Sequence, residues 1–197
     1  MRASTLCLLG LLLPVALAMR APELHAQQVA VSAAVPLASP TSVGARDLTF
    51  GTLMPDPNAA RTVAVLAAVD QASASVQSGE YRLDVAAIHG VTFALSTPTE
   101  LTSATAPPLP VSFSGSQFGG WCVTRGRSGC GLNGFDPAGG DQRVCANELG
   151  NGACDLGTSW PAASTLRVFV GGELTIPPTA LAGTYTATIT LTVTQVY

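Results

Sequence analysis

The sequence predicts an all-β fold, a sandwich or barrel, on three observations. Helical periodicity is almost absent after the first 26 residues. Fourteen prolines and twenty glycines punctuate the 197-residue chain. Between them lie short runs in which apolar residues alternate with polar or small ones, the period of a half-buried strand. The chain is 47% hydrophobic and only 11% charged, against about 25% charged for an average soluble domain.

The N-terminus reads differently. Arg2 precedes an apolar run from Leu6 to Ala18. That run is shorter than the roughly 20 residues a transmembrane helix needs and has the form of a signal-peptide core. Small-residue cleavage sites end at Ala18 and Ala26. The second is preferred, because an extended alternating pattern begins at Gln27. The expected organisation is a signal peptide over 1–26 and one domain over 27–197, with no membrane span after cleavage.

Residues 27–39 alternate Val29, Val31, Ala33, Val35 and Leu37. Residues 46–55 carry Leu48, Phe50 and a bend at Gly51, and Pro55-Asp56-Pro57-Asn58 has turn composition. Further strands are predicted over 61–69, 81–90 with a turn near His89-Gly90, 91–98 and 108–116. Residues 164–178 contain a strand, a Gly171-Gly172 hairpin signal and a short strand ended by two prolines. The chain closes on AGTYTATITLTVTQVY (residues 182–197), where Tyr185, Ala187, Ile189, Leu191 and Val193 alternate with threonines. Ile189, Leu191 and Val193 are expected to face the core, with the threonines facing solvent.

Periodicity disappears between Trp121 and Trp160. This Gly-, Asn- and Asp-rich stretch holds Cys122, Cys130, Cys145 and Cys154 and is predicted to be an inserted, disulfide-tied excursion. Four cysteines in a secreted chain imply two bridges. The local pairing, 122–130 with 145–154, ranks first, and the nested pairing follows. No C-x-x-C is present, so zinc is not expected, nor is any other cofactor.

The charge pattern excludes other classes. All nine basic residues are arginine, the formal net charge is −3, and no basic cluster occurs. Nucleic acid and anionic membranes, which need dense positive charge, are not expected partners.

One ordered series of motifs resembles a known family. Leu48, Phe50 and Gly51 match an L-x-F-G element. Val170, Gly171, Gly172, Leu174, Ile176 and Pro177 match V-G-G-x-L-x-[IV]-P. Ala182, Gly183, Thr184, Tyr185, Ile189, Leu191 and Val193 match the closing block. The series resembles a family of secreted bacterial β-proteins, the domain of unknown function (DUF) 4402. Members look similar to spore coat protein U and to chaperone–usher pilins. The resemblance implies an immunoglobulin-like antiparallel β-sandwich at a bacterial cell surface or in the periplasm, with a disulfide-bonded loop insertion. It supplies no catalytic residues, and the 121–160 stretch departs from the family's usual pattern. It also offers two readings of residues 27–39: the first strand of a closed sandwich, or a strand that pairs along an open sheet edge, in its own domain or a neighbour's, with self-assembly or a periplasmic chaperone and usher as partners.

Catalysis finds little support. After cleavage His89 is the sole histidine, and no G-x-S-x-G occurs. Asp136, Asp141, Glu148 and Asp155 read as solvated loop carboxylates, with calcium or acid–base chemistry as weaker readings. Phe118, Trp121, Phe135 and Trp160 either cover the core at the root of the excursion or form a platform for a glycan or protein. The expectation is a non-enzymatic structural or adhesive surface protein, with a monomeric glycan- or protein-binding module as the alternative.

Overall fold

A computed structural model describes residues 25–34, 42–69, 75–125 and 130–197. The expected leader, apart from His25 and Ala26, lies outside these residues, as do positions 35–39 of the predicted first strand. The described chain is all β, without a helix. In order, the strands are β1 (His25–Ala34), β2 (Ser42–Arg46), β3 (Arg61–Val65), β4 (Gly79–Asp84), β5 (Gly90–Ser96), β6 (Glu100–Leu101) and β7 (Leu109–Ser112). They continue with β8 (Gly119–Arg125), β9 (Asn133–Phe135), β10 (Gln142–Cys145), β11 (Ser164–Val170), β12 (Gly172–Ile176) and β13 (Thr184–Val196).

Three sheets form, in the orders β1-β13-β5-β10, β2-β4-β11-β8-β9 and β3-β12-β7-β6. All pairings are antiparallel except β1 with β13, which is parallel. No turn joins β1 to β13, so no hairpin dictates their relative direction; after β1 the chain resumes as β2 in another sheet.

One core serves all three sheets. Tyr81, Leu83, Leu166 and Val168 meet Phe93, Ile189 and Leu191, all fully buried. The third sheet adds Val65, Leu101, Leu109, Val111, Leu174 and Ile176. Phe93 and Phe135 meet edge to face with centroids 5.7 Å apart, linking β5 to β9, the arrangement that ring quadrupoles favour. The closing strand behaves as its alternation predicts: Tyr185, Ile189, Leu191 and Val193 are buried, while Thr186, Thr188 and Thr194 are exposed.

Local chemistry explains where strands stop. β4 ends at Asp84, whose Oδ1 accepts the Ala86 N–H at 3.0 Å, and Ala87 follows with φ +63°. The predicted 81–90 strand is therefore cut short by an Asx-type turn. Gly51 takes φ +81°, as its bend requires. Asn58 N–H donates to Asp56 Oδ1 at 2.9 Å in the predicted turn.

Two expectations need correction. Gly171-Gly172 is not a hairpin. β11 runs through Gly171 into β12 and passes from the five-stranded sheet to the third sheet. Neither glycine has the positive φ a tight hairpin turn requires. Gly171 is needed for close approach instead, since a methyl group there would overlap the Val65 carbonyl oxygen. The second correction concerns 121–160, where loss of periodicity is not loss of strand. β8 sits between β11 and β9, and β10 pairs with β5. These short strands are flanked by Gly and Cys, which mask the period-2 pattern. The loops closed by disulfides hang from this strand framework.

Candidate functional site

The disulfides are Cys122–Cys130 and Cys145–Cys154, with Cα separations of 5.8 and 5.2 Å, the local pairing ranked first. The first ties β8 to the approach of β9. The second ties the end of β10 to the returning loop, where Glu148 and Cys154 also form a β-bridge.

The four aromatic residues occupy interior positions. Phe118, Phe135 and Trp160 are 4%, 6% and 6% exposed, and Trp121 is half-buried against the core. Trp160 also exchanges backbone hydrogen bonds with the 85–89 turn: its N–H donates to Ile88 O, and its carbonyl accepts from Ala87, both at 2.9 Å. They cover the core and leave no exposed aromatic platform.

The loop carboxylates have local tasks. Asp136 Oδ1 accepts the Ala138 N–H at 3.0 Å. Asp155 accepts from the Gly157 backbone, the Thr158 hydroxyl and the Asn147 amide. These bonds, the Gly157 N–H foremost, hold its carboxyl below the usual range. His89 Nδ1 lies 3.0 Å from the Thr158 carbonyl oxygen. Asp141 is exposed beside Arg143 and Tyr197. Among the described residues, no three His, Cys, Asp or Glu side chains gather to hold a metal. Among the same residues, no helix is long and apolar enough to cross a membrane.

The arrangement with the clearest bearing on function is the edge of the first sheet. β13 is flanked by β5 on one side and β1 on the other. Registers run from His25↔Thr184 to Ala34↔Thr192, with an irregularity between Ala26 and Val29. Beyond Thr192, β13 continues against β5 through Val196↔Val91. A family profile described as Domain of unknown function (DUF4402) matches residues 41–195. The chain belongs to the DUF4402 family. The match begins after β1, so the strand that covers β13 lies outside the DUF4402 unit while its partner lies within it. No match was found among curated proteins.

Among the described residues of the DUF4402 domain, the most deeply placed charge is Glu80, 2% exposed on β4. Its Oε1 accepts from Nε of both Arg82 and Arg167 at 2.7 Å. Arg167 also lies 4.9 Å from the Phe169 ring centroid, a cation–π distance. Burial by itself would raise the Glu80 carboxyl, but the hydrogen bonds from Arg167 and Arg82 outweigh it and hold it below its usual value near 4.5. A depressed folded pKa contributes stability that is fully present above pH 4.5 and is lost as pH falls through the folded value. Urea midpoints should therefore decline below about pH 4.5. Glu80→Gln should cost about 2 kcal/mol at pH 7 and flatten that acid limb. An unchanged limb in the variant would assign the acid sensitivity to other carboxylates.

Proposed function

We propose that this protein is a secreted structural subunit of a bacterial surface. Its N-terminal strand covers the β13 edge, either in its own sheet or in a neighbouring copy. The observation that carries the reading is the pairing of β1, outside the family unit, with the final strand inside it. An edge strand attached at one end can move to an identical edge with almost no net change in contacts, the usual route to strand exchange. Without β1, β13 would offer an unpaired, threonine-rich, weakly charged row of backbone groups. Such a row is a template for strand addition. The two disulfides support an oxidising compartment, and the apolar stretch from Leu6 to Ala18 supports export.

The test compares protein beginning at Gln27 with protein beginning at Ser42, by size-exclusion chromatography and electron microscopy. The longer chain should form concentration-dependent oligomers or fibres after unfolding and refolding. The shorter chain should not form ordered ones, and should bind an added peptide of residues 27–34. Fibres that survive the truncation, or a longer chain that stays monomeric at every concentration, would remove the proposal.

A further inference from the structure

β10, β5 and β13 place a row of polar side chains on the outer face of the first sheet. Arg143 is opposite Thr92, and Thr92 is opposite Gln195. The flanking Val91, Phe93, Val144 and Val193 point into the core. A bulge between Val193 and Gln195 interrupts the register. It brings Thr194 beside Gln195, as bulges do when they re-aim side chains. Tyr197 completes the group. Its backbone N–H donates to Gly90 O at 2.9 Å and its carbonyl accepts from His89 at 2.8 Å. Its hydroxyl lies 3.0 Å from both Thr92 Oγ1 and Gln195 Oε1. The Arg143 guanidinium sits 5.9 Å from the Tyr197 ring centroid, and Nη1 donates to the Gly152 carbonyl at 3.0 Å. The loop closed by Cys145–Cys154 therefore helps hold the arginine. With Asp141, these residues line a pocket of about 360 Å³.

The composition narrows the ligand. Arg143 only donates, ionised Asp141 only accepts, and the threonine, tyrosine and glutamine groups do both. The two charges cancel, so an anion would face Asp141 and a cation would face Arg143. A hydrophobic ligand would strip water from the Asp141 carboxylate and from the guanidinium N–H groups of Arg143 that the Gly152 carbonyl does not take. A saccharide offers hydroxyls that each donate and accept, and a C–H face that packs on an aromatic ring. The volume lies at the small end of ligand pockets, about 300–1,000 Å³. We propose that this pocket binds a neutral saccharide of one or two rings.

Among the described residues β1 pairs as far as Thr192 and the pocket lies beyond it, so the test of this proposal does not depend on strand exchange. The experiment titrates ¹⁵N-labelled protein with glucose, galactose, mannose, N-acetylglucosamine, lactose, maltose and cellobiose, with glucuronate as the charged arm. At least one neutral sugar should give saturable shifts at Thr92, Arg143, Gln195 and Tyr197 at concentrations up to about 10 mM. Arg143→Ala and Thr92→Val should each weaken that binding at least tenfold while leaving the remaining spectrum in place. The absence of a neutral-sugar response, a response to glucuronate alone, or binding that survives both substitutions would each overturn it.

Discussion

Replacing Tyr81 with alanine should lower stability by about 3–5 kcal/mol, and Tyr81→Phe by about 1–3 kcal/mol. Tyr81 is fully buried on β4, and its hydroxyl donates to the Ile189 carbonyl on β13 at 2.7 Å. One side chain thus fills the space between the five-stranded sheet and the first sheet and bonds the two. The alanine variant loses the ring and leaves a cavity. The phenylalanine variant keeps the packing and leaves a buried carbonyl short of a donor. Burial, with the Asp47 charge, pushes the phenol well above its ordinary value, so the donor persists across the pH range in which the protein would be studied. Urea denaturation with an unchanged m-value separates the two contributions. A neutral Tyr81→Phe would show that the hydroxyl does not help join the layers.

Gly171→Ala should have an effect of similar size, about 3–5 kcal/mol, or prevent folding, since the large costs of point mutations come from overpacking of this kind. The added methyl would overlap the Val65 carbonyl oxygen and lie 2.9 and 3.0 Å from Leu66 C and Ala67 N. These are backbone atoms, which cannot rotate aside as the end of a side chain would. The Gly171 N–H is also committed to the Phe118 carbonyl at 2.6 Å, so the strand cannot retreat without losing that bond. Gly150→Ala is the control. Its position has nothing within 4 Å and should change stability by no more than about 0.5 kcal/mol. Equal thermal midpoints for the two variants would refute the account of Gly171.

The all-β class was legible because hydrophobic alternation with period 2 is a local property. Ile189, Leu191 and Val193 could be placed in the core from spacing alone, and the structure buries them. The disulfide pairing ranked first followed from short separations of 8 and 9 residues. β8 to β10 were obscured because short strands rich in Gly and Cys carry too few apolar side chains to show a period. Gly171-Gly172 misled because the same dipeptide suits a turn and a tight crossing, and only the neighbouring backbone distinguishes them. The polar pocket left one trace in the sequence. The strict alternation of β13 falters at Thr194-Gln195, where two polar residues adjoin, and a bulge is the physical meaning of that slip.

The sequence by itself determined the strand-forming character of this chain, its disulfide-forming cysteines and its membership of the DUF4402 family, because each depends on residues near one another along the chain. Only the tertiary structure decided which strands are neighbours. It set β1 parallel to β13, sent β11 through Gly171 into a second sheet, and brought Thr92, Arg143 and Tyr197 to one surface. Those outcomes depend on backbone pairings between positions far apart in the chain, from Ser164↔Arg125 to His25↔Thr184. Such pairings are selected by how whole faces fit against the shared core, and no local pattern encodes that fit.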